Sequence, residues 1–263
     1  MPDDKTFPHV IRVAFGNCFV SREMGREMAA AVRLDRSGVW EGFGGSGNVS
    51  YYVMGKDNAS ILSKEGAKNV RLVDPRPLVH DPAVSFWYNK TLLYLAAFKD
   101  FGMDAEVLYL DCDVEFCRRP DAGLSAALRG MWKGRRILSP IRSCKKPKRM
   151  PLVTRDKHEL RICPCNCLMY CRDGKVIEEL LPLYGEIAAK YDSSKKTHWT
   201  GTPTTWWDDE SVSMYWFDKL NGRKTTAEIV EAFEPGSTIR LQRHPPPEAT
   251  AVKRDKDIYM VHH

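Results

Sequence analysis

The sequence predicts an α/β fold in which a mixed, mainly parallel sheet is flanked by helices. Short apolar runs alternate along the chain with longer segments of helical spacing, which is typical of this fold class. The run from Val107 to Leu110 is apolar or aromatic throughout, as expected of a strand buried on both faces. With 263 residues, 43% of them hydrophobic, the chain can bury a full α/β core, and we expect a single domain over 1–263.

Strands and helices are expected to follow one another in a regular order. We predict strands at 10–15, 50–54, 70–73, 106–110, 136–140, 160–170 and 258–263, and helices at 22–34, 57–66, 85–99, 121–129 and 175–191. Asp57 or Asn58 is expected near the cap of the second helix. The glycine-rich stretch 42–47 precedes a strand and lacks the Lys-Ser/Thr pair of a phosphate-binding loop, so we interpret it as a flexible loop.

Positive charge is concentrated in one part of the chain. The formal net charge is +6, but between Arg129 and Arg161 twelve basic residues accompany two acids, a local charge of +10, and the remainder of the chain carries −4. Pro147 and Pro151 predict a long exposed loop, which we place at 143–161 as an insertion in the domain. Such a segment is typical of a polyanion-binding surface, although a solvated loop carries similar charge.

The sequence also indicates where the protein resides. No apolar run approaches the roughly 18 residues that a membrane-spanning helix needs. Asp3 and Asp4 stand where a signal peptide would have basic residues. We therefore expect a soluble cytoplasmic protein without a membrane partner, and the oligomeric state is left open.

A cluster of cysteines follows the basic segment. In a strand, Cys163, Cys165 and Cys167 would share a face, and with Cys144 or His158 they would form a zinc site. The spacing matches no standard zinc motif, and buried free thiols are common in cytosolic proteins. Packing of free thiols is therefore favoured, with zinc as the alternative.

Two carboxylates, Asp111 and Asp113, come directly after the predicted strand at 106–110. Ligands of open α/β sheets bind at the carboxyl ends of strands, and two carboxylates one residue apart can reach a common point there. Hard oxygen ligands suit Mg²⁺ or Mn²⁺, whose shells are usually completed by phosphates and water. The pair therefore indicates a metal-diphosphate site, with a solvated turn as the alternative.

Further candidate residues are expected near the same edge of the sheet. The turn after the first strand, from Ala14 through Phe15, Gly16 and Asn17 to Cys18, is a natural cradle for a nucleotide base and ribose. Lys90, within an apolar helix, is interpreted either as a cation that meets a diphosphate or as a snorkelling surface residue.

Aromatic and acidic residues adjoin one another late in the chain. Trp206 and Trp207 provide a wall for stacking on a sugar or base, and Asp208, Asp209 or Glu210 would orient an acceptor hydroxyl. The structural alternative is a helix capped near Thr205, whose acidic first turn favours the helix dipole. The chain ends in His262 and His263: one would complete the metal site, or both are disordered or remain from a purification tag.

The order of these features resembles that of GT-A fold nucleotide-sugar glycosyltransferases, and most of all their glycogenin and bacterial galactosyltransferase branch. The resemblance is carried by Phe86-Trp87-Tyr88-Asn89-Lys90 leading into Val107-Leu108-Tyr109-Leu110-Asp111-Cys112-Asp113-Val114. It is weaker at Asn166-Cys167-Leu168-Met169-Tyr170, at Trp207-Asp208-Asp209-Glu210 and at Ile258 to His262.

The resemblance implies a Rossmann-like GT-A sheet, a UDP-sugar donor and retention of anomeric configuration. It implies that Asp111, Asp113 and His262 hold Mn²⁺ or Mg²⁺, and that Lys90 and Asn166 contact the donor. The acidic block at 208–210 would lie near the anomeric carbon. An inverting enzyme would use a carboxylate of that block as general base, so the block alone does not establish the stereochemistry.

The acceptor is suggested only by the basic segment. The residues expected to bind it are Lys145, Lys146, Lys148, Arg149 and Arg155, with Trp206 and Trp207. Phosphate contacts of this kind suggest a hydroxymethylated pyrimidine in DNA, which would have to leave the base stack. The alternatives are an intracellular glycan or protein acceptor, or a non-enzymatic nucleic-acid-binding module stabilised by zinc.

Overall fold

The computed structural model has a mixed α/β architecture. It describes residues 7–16, 22–75, 88–112, 114–116, 118–132, 137–138, 141–148, 160–164, 168–190, 212–213, 216, 239–241 and 260–262. The strands are β1 His9–Ala14, β2 Val49–Met54, β3 Val70–Asp74, β4 Val107–Leu110, β5 Val114–Phe116, β6 Ile137–Leu138, β7 Ile141–Lys148, β8 Leu160–Pro164, β9 Leu168–Cys171, β10 Ile239–Leu241 and β11 Met260–His262. The helices are α1 Arg22–Arg36, α2 Lys56–Lys64, α3 Tyr88–Phe101, α4 Ala122–Trp132 and α5 Gly174–Lys190.

A six-stranded sheet in the order β3-β2-β1-β4-β9-β6 forms the centre of the fold. The pairs β3/β2, β2/β1 and β1/β4 are parallel, and β9 runs antiparallel to both β4 and β6. The predicted mixed, mainly parallel sheet flanked by helices is therefore confirmed. Two smaller sheets accompany it, β10-β11-β5 and the antiparallel pair β7-β8.

Apolar side chains cover both faces of the large sheet. Alternate residues of β1 point to opposite faces, so that Ile11 and Val13 pack with α3 and α5, whereas Val10 and Ala14 pack with α1 and α4. All four residues of β4 are buried, as the continuous apolar run predicts. No described helix combines the length and apolar character needed to cross a membrane.

A buried ion pair interrupts the apolar face toward α1. Arg12, in the middle of β1, donates from Nε and Nη2 to the two carboxylate oxygens of Asp35 at 2.6 and 2.9 Å. Trp40 Nε1 and Tyr51 Oη also donate to Asp35, at 2.9 and 2.6 Å. Burial alone would lower the pKa of Arg12, but the carboxylate outweighs that effect, and the pKa lies above its ordinary value. The network joins β1, β2 and the end of α1.

Several predicted elements differ from the structure in ways that local contacts explain. Asp57 and Asn58 do not cap α2, because the N-cap is Gly55, with a φ of 88° and no side-chain cap bond. Side chains do cap α4, where Asp121 Oδ1 accepts from the backbone N–H groups of Gly123 and Leu124, and α5, where Asp173 Oδ1 accepts from the backbone N–H of Lys175. The glycine-rich stretch at 42–47, predicted as a flexible loop, contains parts of two short 3-10 helices, at 41–43 and 46–48, with Gly44 and Gly45 between them.

The basic segment also differs from its prediction. Residues 141–148, expected to be largely loop, form strand β7, which pairs with β8 and contains Pro147. Its register shifts between Ser143 and Lys148, an irregularity of the kind at which a proline is tolerated in a strand. The single strand predicted at 160–170 is two strands, because β8 pairs with β7 whereas β9 belongs to the large sheet.

Replacing Tyr51 by Phe should destabilise the fold more than the same change at the adjacent Tyr52. Tyr51 donates to the buried Asp35 carboxylate, and losing a bond to a charged group costs about 1.5–3 kcal/mol. Tyr52 donates to Asp100 at 3.0 Å, and because that carboxylate is exposed, water can replace the lost bond, so a smaller cost of about 0.5–1.5 kcal/mol is expected. Guanidinium chloride unfolding of both variants measures the difference, and equal midpoints would contradict this role for the Asp35 network.

Candidate active site

The carboxyl ends of three parallel strands meet at one edge of the large sheet. β1 ends at Ala14, β2 at Met54 and β4 at Leu110, and these strands are neighbours in the order β2-β1-β4. The residues that follow these strands place polar groups at this edge. It is the edge at which open α/β sheets bind ligands.

Asp111 is the first residue beyond β4 and lies partly exposed at this edge. The side chain of Asp111 is 32% exposed, whereas the preceding residue, Leu110, is fully buried. The carbonyl oxygen of Asp111 accepts a bond from Arg12 Nη1 at 2.6 Å and one from the backbone N–H of Val114 at 3.4 Å. The main chain at Asp111 is therefore held from two directions.

Lys90 on α3 is buried beside Asp111. It is only 3% exposed, and its Nζ lies 3.5 Å from Oδ1 of Asp111 and 4.9 Å from the ring centroid of Tyr109. The interpretation of Lys90 as a snorkelling surface residue is therefore wrong. Because both the carboxylate and the aromatic face favour the charged amine, the site edge carries a desolvated cation.

Tyr109 completes this group from within β4. Its hydroxyl donates to Oδ1 of Asp111, the same oxygen that Lys90 approaches. Burial, followed by the Asp111 carboxylate, holds the pKa of Tyr109 well above its ordinary value, so the hydroxyl remains a donor at neutral pH. Tyr109 was not among the predicted site residues, although residues two apart in a strand share a face, and that spacing points to Asp111.

The turn after β1 is held by Asn58 of α2. Asn58 Nδ2 donates to the carbonyl oxygens of Gly16 and Met54 at 3.0 and 2.8 Å, and so ties the ends of β1 and β2 together. Gly16 has a φ of 62°, in the left-handed region that favours glycine. The side chains of Ala14 and Phe15 are buried in the core, so the cradle that they were predicted to form would offer a ligand their backbone only.

The late strand β11 reaches the segment that follows Asp111. It pairs with β5 in antiparallel register, with His262 opposite Val114. Val114 follows Asp113 directly in the sequence, so the backbone of His262 lies beside the end of the Asp-Cys-Asp segment. Of the two terminal histidines, His262 is the one that this pairing brings to the site edge.

The predicted acidic and aromatic block precedes a buried segment. Val212 and Trp216 lie in the same core cluster as Tyr109, and Trp216 Nε1 donates to Glu179 of α5 at 3.0 Å. The block itself lies outside the described residues. The predicted site residues that the structure does not describe are Asn17, Cys18, Asp113, Arg149, Arg155, Asn166, Trp206, Trp207, Asp208, Asp209, Glu210 and His263.

The predicted cysteine cluster is described only in part. Cys163 belongs to β8, which pairs with β7. Cys165 and Cys167 lie outside the described residues. Cys112 and Cys171 are not part of a disulfide bond.

The donor chemistry at Asp111 fits a hard divalent cation. Lys90 and Tyr109 both engage Oδ1, so an ion would be coordinated through Oδ2 of the same carboxylate. Within the part of the chain that the structure describes, no three His, Cys, Asp or Glu side chains come together as a metal site. Further ligands would come from side chains beyond that part, where Asp113 lies.

Comparison with known proteins finds matches among solved structures only. No family model and no curated protein matches the sequence. A solved glycosyltransferase involved in glycosylation of the major capsid of PBCV-1 is 13% identical, with a TM-score of 0.45, over 96% of this chain and 90% of that chain. Mouse xyloside xylosyltransferase 1 is 11% identical, with a TM-score of 0.48, over 98% of each chain.

A nucleotidyltransferase aligns as well. The cytidylyltransferase from Leptospira borgpetersenii is 14% identical, with a TM-score of 0.37, over 66% of this chain and 63% of that chain. Glycosyltransferases and a nucleotidyltransferase are thus among the solved structures with which the chain aligns, all at TM-scores below 0.5. At these identities the alignments concern the fold, and the chemistry has to be argued from the residues at the sheet edge.

Proposed function

We propose that the protein is a glycosyltransferase that moves a sugar from a nucleotide diphosphate donor to a hydroxyl acceptor. One observation carries the proposal: a buried lysine, Lys90, lies 3.5 Å from Asp111 at the carboxyl end of a buried central strand. If Asp111 and Asp113 formed only a solvated turn, nothing would require a lysine buried beside them. A diphosphate needs positive charge where water is excluded.

Lys90 would bind the diphosphate of the donor. Its ammonium is held on one side by Tyr109 and Asp111, and an ammonium has three N–H donors that can be directed to different acceptors. Because the amine is buried, its attraction for phosphate oxygens is screened less than that of a surface lysine. Lys90 would therefore both bind the donor and stabilise the negative charge that develops on the leaving diphosphate.

Asp111 and Asp113 would hold Mg²⁺ or Mn²⁺ against that diphosphate, with His262 as a further ligand. The ion would supply Lewis-acid stabilisation of the leaving group. Tyr109 keeps one oxygen of Asp111 occupied and so orients the other toward the ligand. The register of β11, with His262 opposite Val114, supports the assignment of the histidine.

The remaining roles follow the sequence pattern. Asp208, Asp209 or Glu210 would contact the donor sugar or the incoming hydroxyl, with Trp206 and Trp207 as an aromatic wall. The position of the next described residue supports these roles, because Val212, two residues after Glu210, is buried in the core cluster that contains Tyr109. We further propose a UDP-sugar as donor, with the turn at Gly16 and Asn17 and the residue Asn166 near it.

For the acceptor we propose DNA that carries a hydroxymethylated pyrimidine. The support is a basic ribbon formed by β7 and β8, in which Arg142, Lys145, Lys146, Lys148 and Arg161 are accompanied by no acid. A two-stranded antiparallel ribbon is an element that the major groove admits. Phosphate contacts by its lysines would hold the duplex, while the tryptophans would receive the extruded base.

The ribbon is attached close to the proposed donor site. β9 begins at Leu168, which pairs with Leu110, the residue before Asp111. β8 ends at Pro164, four residues earlier, and four residues span at most about 14 Å. A duplex held by the ribbon would therefore lie within reach of the site edge. A glycan or protein acceptor has no comparable feature in its favour.

The central test is a panel of nucleotide sugars with Mn²⁺, scored for release of nucleotide diphosphate. The wild-type protein should hydrolyse or transfer from at least one donor, most readily a UDP-sugar. Asp111→Asn and Asp113→Asn should each lower turnover about hundredfold or more, because each removes charge next to the leaving group. Asp104→Asn, at an exposed turn, is the matched control and should retain full turnover. Absence of binding and turnover with every donor would refute the proposal.

Removing the ammonium of Lys90 should weaken nucleotide diphosphate binding. For Lys90→Met we expect a loss of about ten- to hundredfold in affinity, which is the value of a hydrogen bond to a charged group. Lys99→Met, an exposed position on the same helix, should bind like the wild-type protein. Calorimetric titration with UDP and Mn²⁺ measures both variants, and an unchanged affinity in Lys90→Met would remove Lys90 from the donor site.

The basic ribbon should make DNA binding salt-dependent. Affinity for a duplex containing 5-hydroxymethylcytosine should fall steeply with salt, and Lys145→Gln/Lys146→Gln/Lys148→Gln should reduce the log–log slope by about 0.9 for each lysine that binds a phosphate. Lys56→Gln/Lys64→Gln/Lys68→Gln, at three exposed lysines elsewhere, should leave the slope unchanged. Two results would count against a DNA acceptor: the same log–log slope in both variants, or a donor turnover that is the same with and without modified DNA.

A further inference from the structure

Arg12 makes one contact that its ion pair does not require. Its Nε and Nη2 atoms satisfy Asp35, and this arrangement alone would account for a buried arginine. The remaining terminal nitrogen, Nη1, donates at 2.6 Å to the carbonyl oxygen of Asp111. Arg12 thus extends the buried network from β1 to the first residue of the Asp-Cys-Asp segment.

The carbonyl of Asp111 fixes both ends of that segment. It accepts from Arg12 on one side and from the backbone N–H of Val114 on the other. Val114 in turn pairs with His262 of β11. A shift of this carbonyl would therefore move Asp111 relative to both Lys90 and the late strand.

We propose that Arg12 is a positioning residue for the transfer reaction, acting through the main chain of Asp111. The expected effect of Arg12 on turnover rests on the proposed function, whereas the hydrogen bond from Arg12 to the Asp111 carbonyl does not. Arg12 lies on the face of the sheet that packs against α1, whereas Lys90 and Tyr109 lie on the opposite face. Arg12 is 1% exposed and does not reach the site edge itself, so its effect is to hold the Asp111 carboxylate where Lys90 and the donor would meet it.

The arginine is the side chain that this geometry needs. A guanidinium has a planar fork that binds a carboxylate with two nitrogens and still directs a third to another acceptor. A lysine at the same position would keep the charge, but its single nitrogen cannot occupy the positions of Nε, Nη1 and Nη2 at once. Arg12→Lys is therefore expected to keep a positive charge beside Asp35 and to lose the hydrogen bond to the Asp111 carbonyl.

The test compares Arg12→Lys with Tyr51→Phe, which weakens the same network without touching Asp111. Hydrogen exchange is followed in a peptide covering 110–116 and in one covering α4, both in the ligand-free protein. In Arg12→Lys, the exchange rate of the 110–116 peptide should rise about tenfold more than that of the α4 peptide. The reason is that local opening of 110–116 is then added to the global unfolding that both peptides report. In Tyr51→Phe the two peptides should change in parallel.

Turnover gives a second readout of the same pair. At a temperature where both variants are folded, Arg12→Lys should raise the Mn²⁺ and donor concentrations for half-maximal turnover about tenfold or more, as expected when a site is misplaced from a distance. Tyr51→Phe should leave them unchanged. If Arg12→Lys does not fold, Arg12→Met/Asp35→Leu/Tyr51→Phe replaces the ion pair by apolar side chains, and the same results are expected of it.

The outcomes separate the two proposals. Parallel exchange of both peptides in the Arg12 variant overturns the positioning role, whatever the turnover. Selective exchange at 110–116 with unchanged half-maximal concentrations also overturns it, because the segment then moves without affecting the reaction. A third outcome is that exchange quickens selectively in the Arg12 variant while the wild-type protein turns over no donor. This outcome refutes the proposed function, and with it a role for Arg12 in transfer, but the contact between Arg12 and Asp111 stands.

Discussion

The ion pair between Arg12 and Asp35 is the interaction on which the rest of the site depends. Removing two charges from water costs several kcal/mol for each ion, and the cost is offset only when geometry and hydrogen bonding are complete. Here the Asp35 carboxylate accepts four bonds, from two nitrogens of Arg12 and from Trp40 and Tyr51. The donors come from β1, β2 and the chain after α1. A one-residue slip of β1 would turn Arg12 to the opposite face, so the pair also specifies the strand register.

Asp111 lies between two buried cations that reach it from opposite faces of the sheet. Arg12 binds its carbonyl from the α1 face, and Lys90 approaches its carboxylate from the α3 face. The first contact sets where the main chain leaves β4, and the second sets the charge around the side chain. Because the carboxylate is only partly exposed and Tyr109 occupies one oxygen, few orientations of Asp111 are compatible with its surroundings. The position of the Asp111 carboxylate is therefore set by side chains of the protein itself.

Strand and helix order could be predicted from the sequence because it depends on local periodicity. The run 107–110 and the pair of carboxylates after it are examples, since an apolar run and its end are visible in any window. Contacts between distant residues leave no local sign. Arg12 is separated from Asp35 by 23 positions and from Asp111 by 99, and an arginine inside an apolar strand was the only hint of the network. Lys90 was given two interpretations, because the same spacing serves a surface lysine and a buried one. The strand predicted at 160–170 was wrong because sequence does not show with which partner each half would pair.

The antiparallel direction of β9 has a consequence for how this chain can change in evolution. β6 and β9 are paired neighbours, with Leu138 opposite Tyr170, so the segment 139–167 leaves the sheet and returns to it at adjacent points. Lengthening, shortening or exchanging such a connection leaves the register of the sheet and the buried charges intact, since the ends of an antiparallel pair are already together. The half of the protein that holds Asp111 and Lys90 is thus constrained by its core. The connection that carries β7 and β8 can therefore change in length or sequence without disturbing the strand pairing next to Asp111.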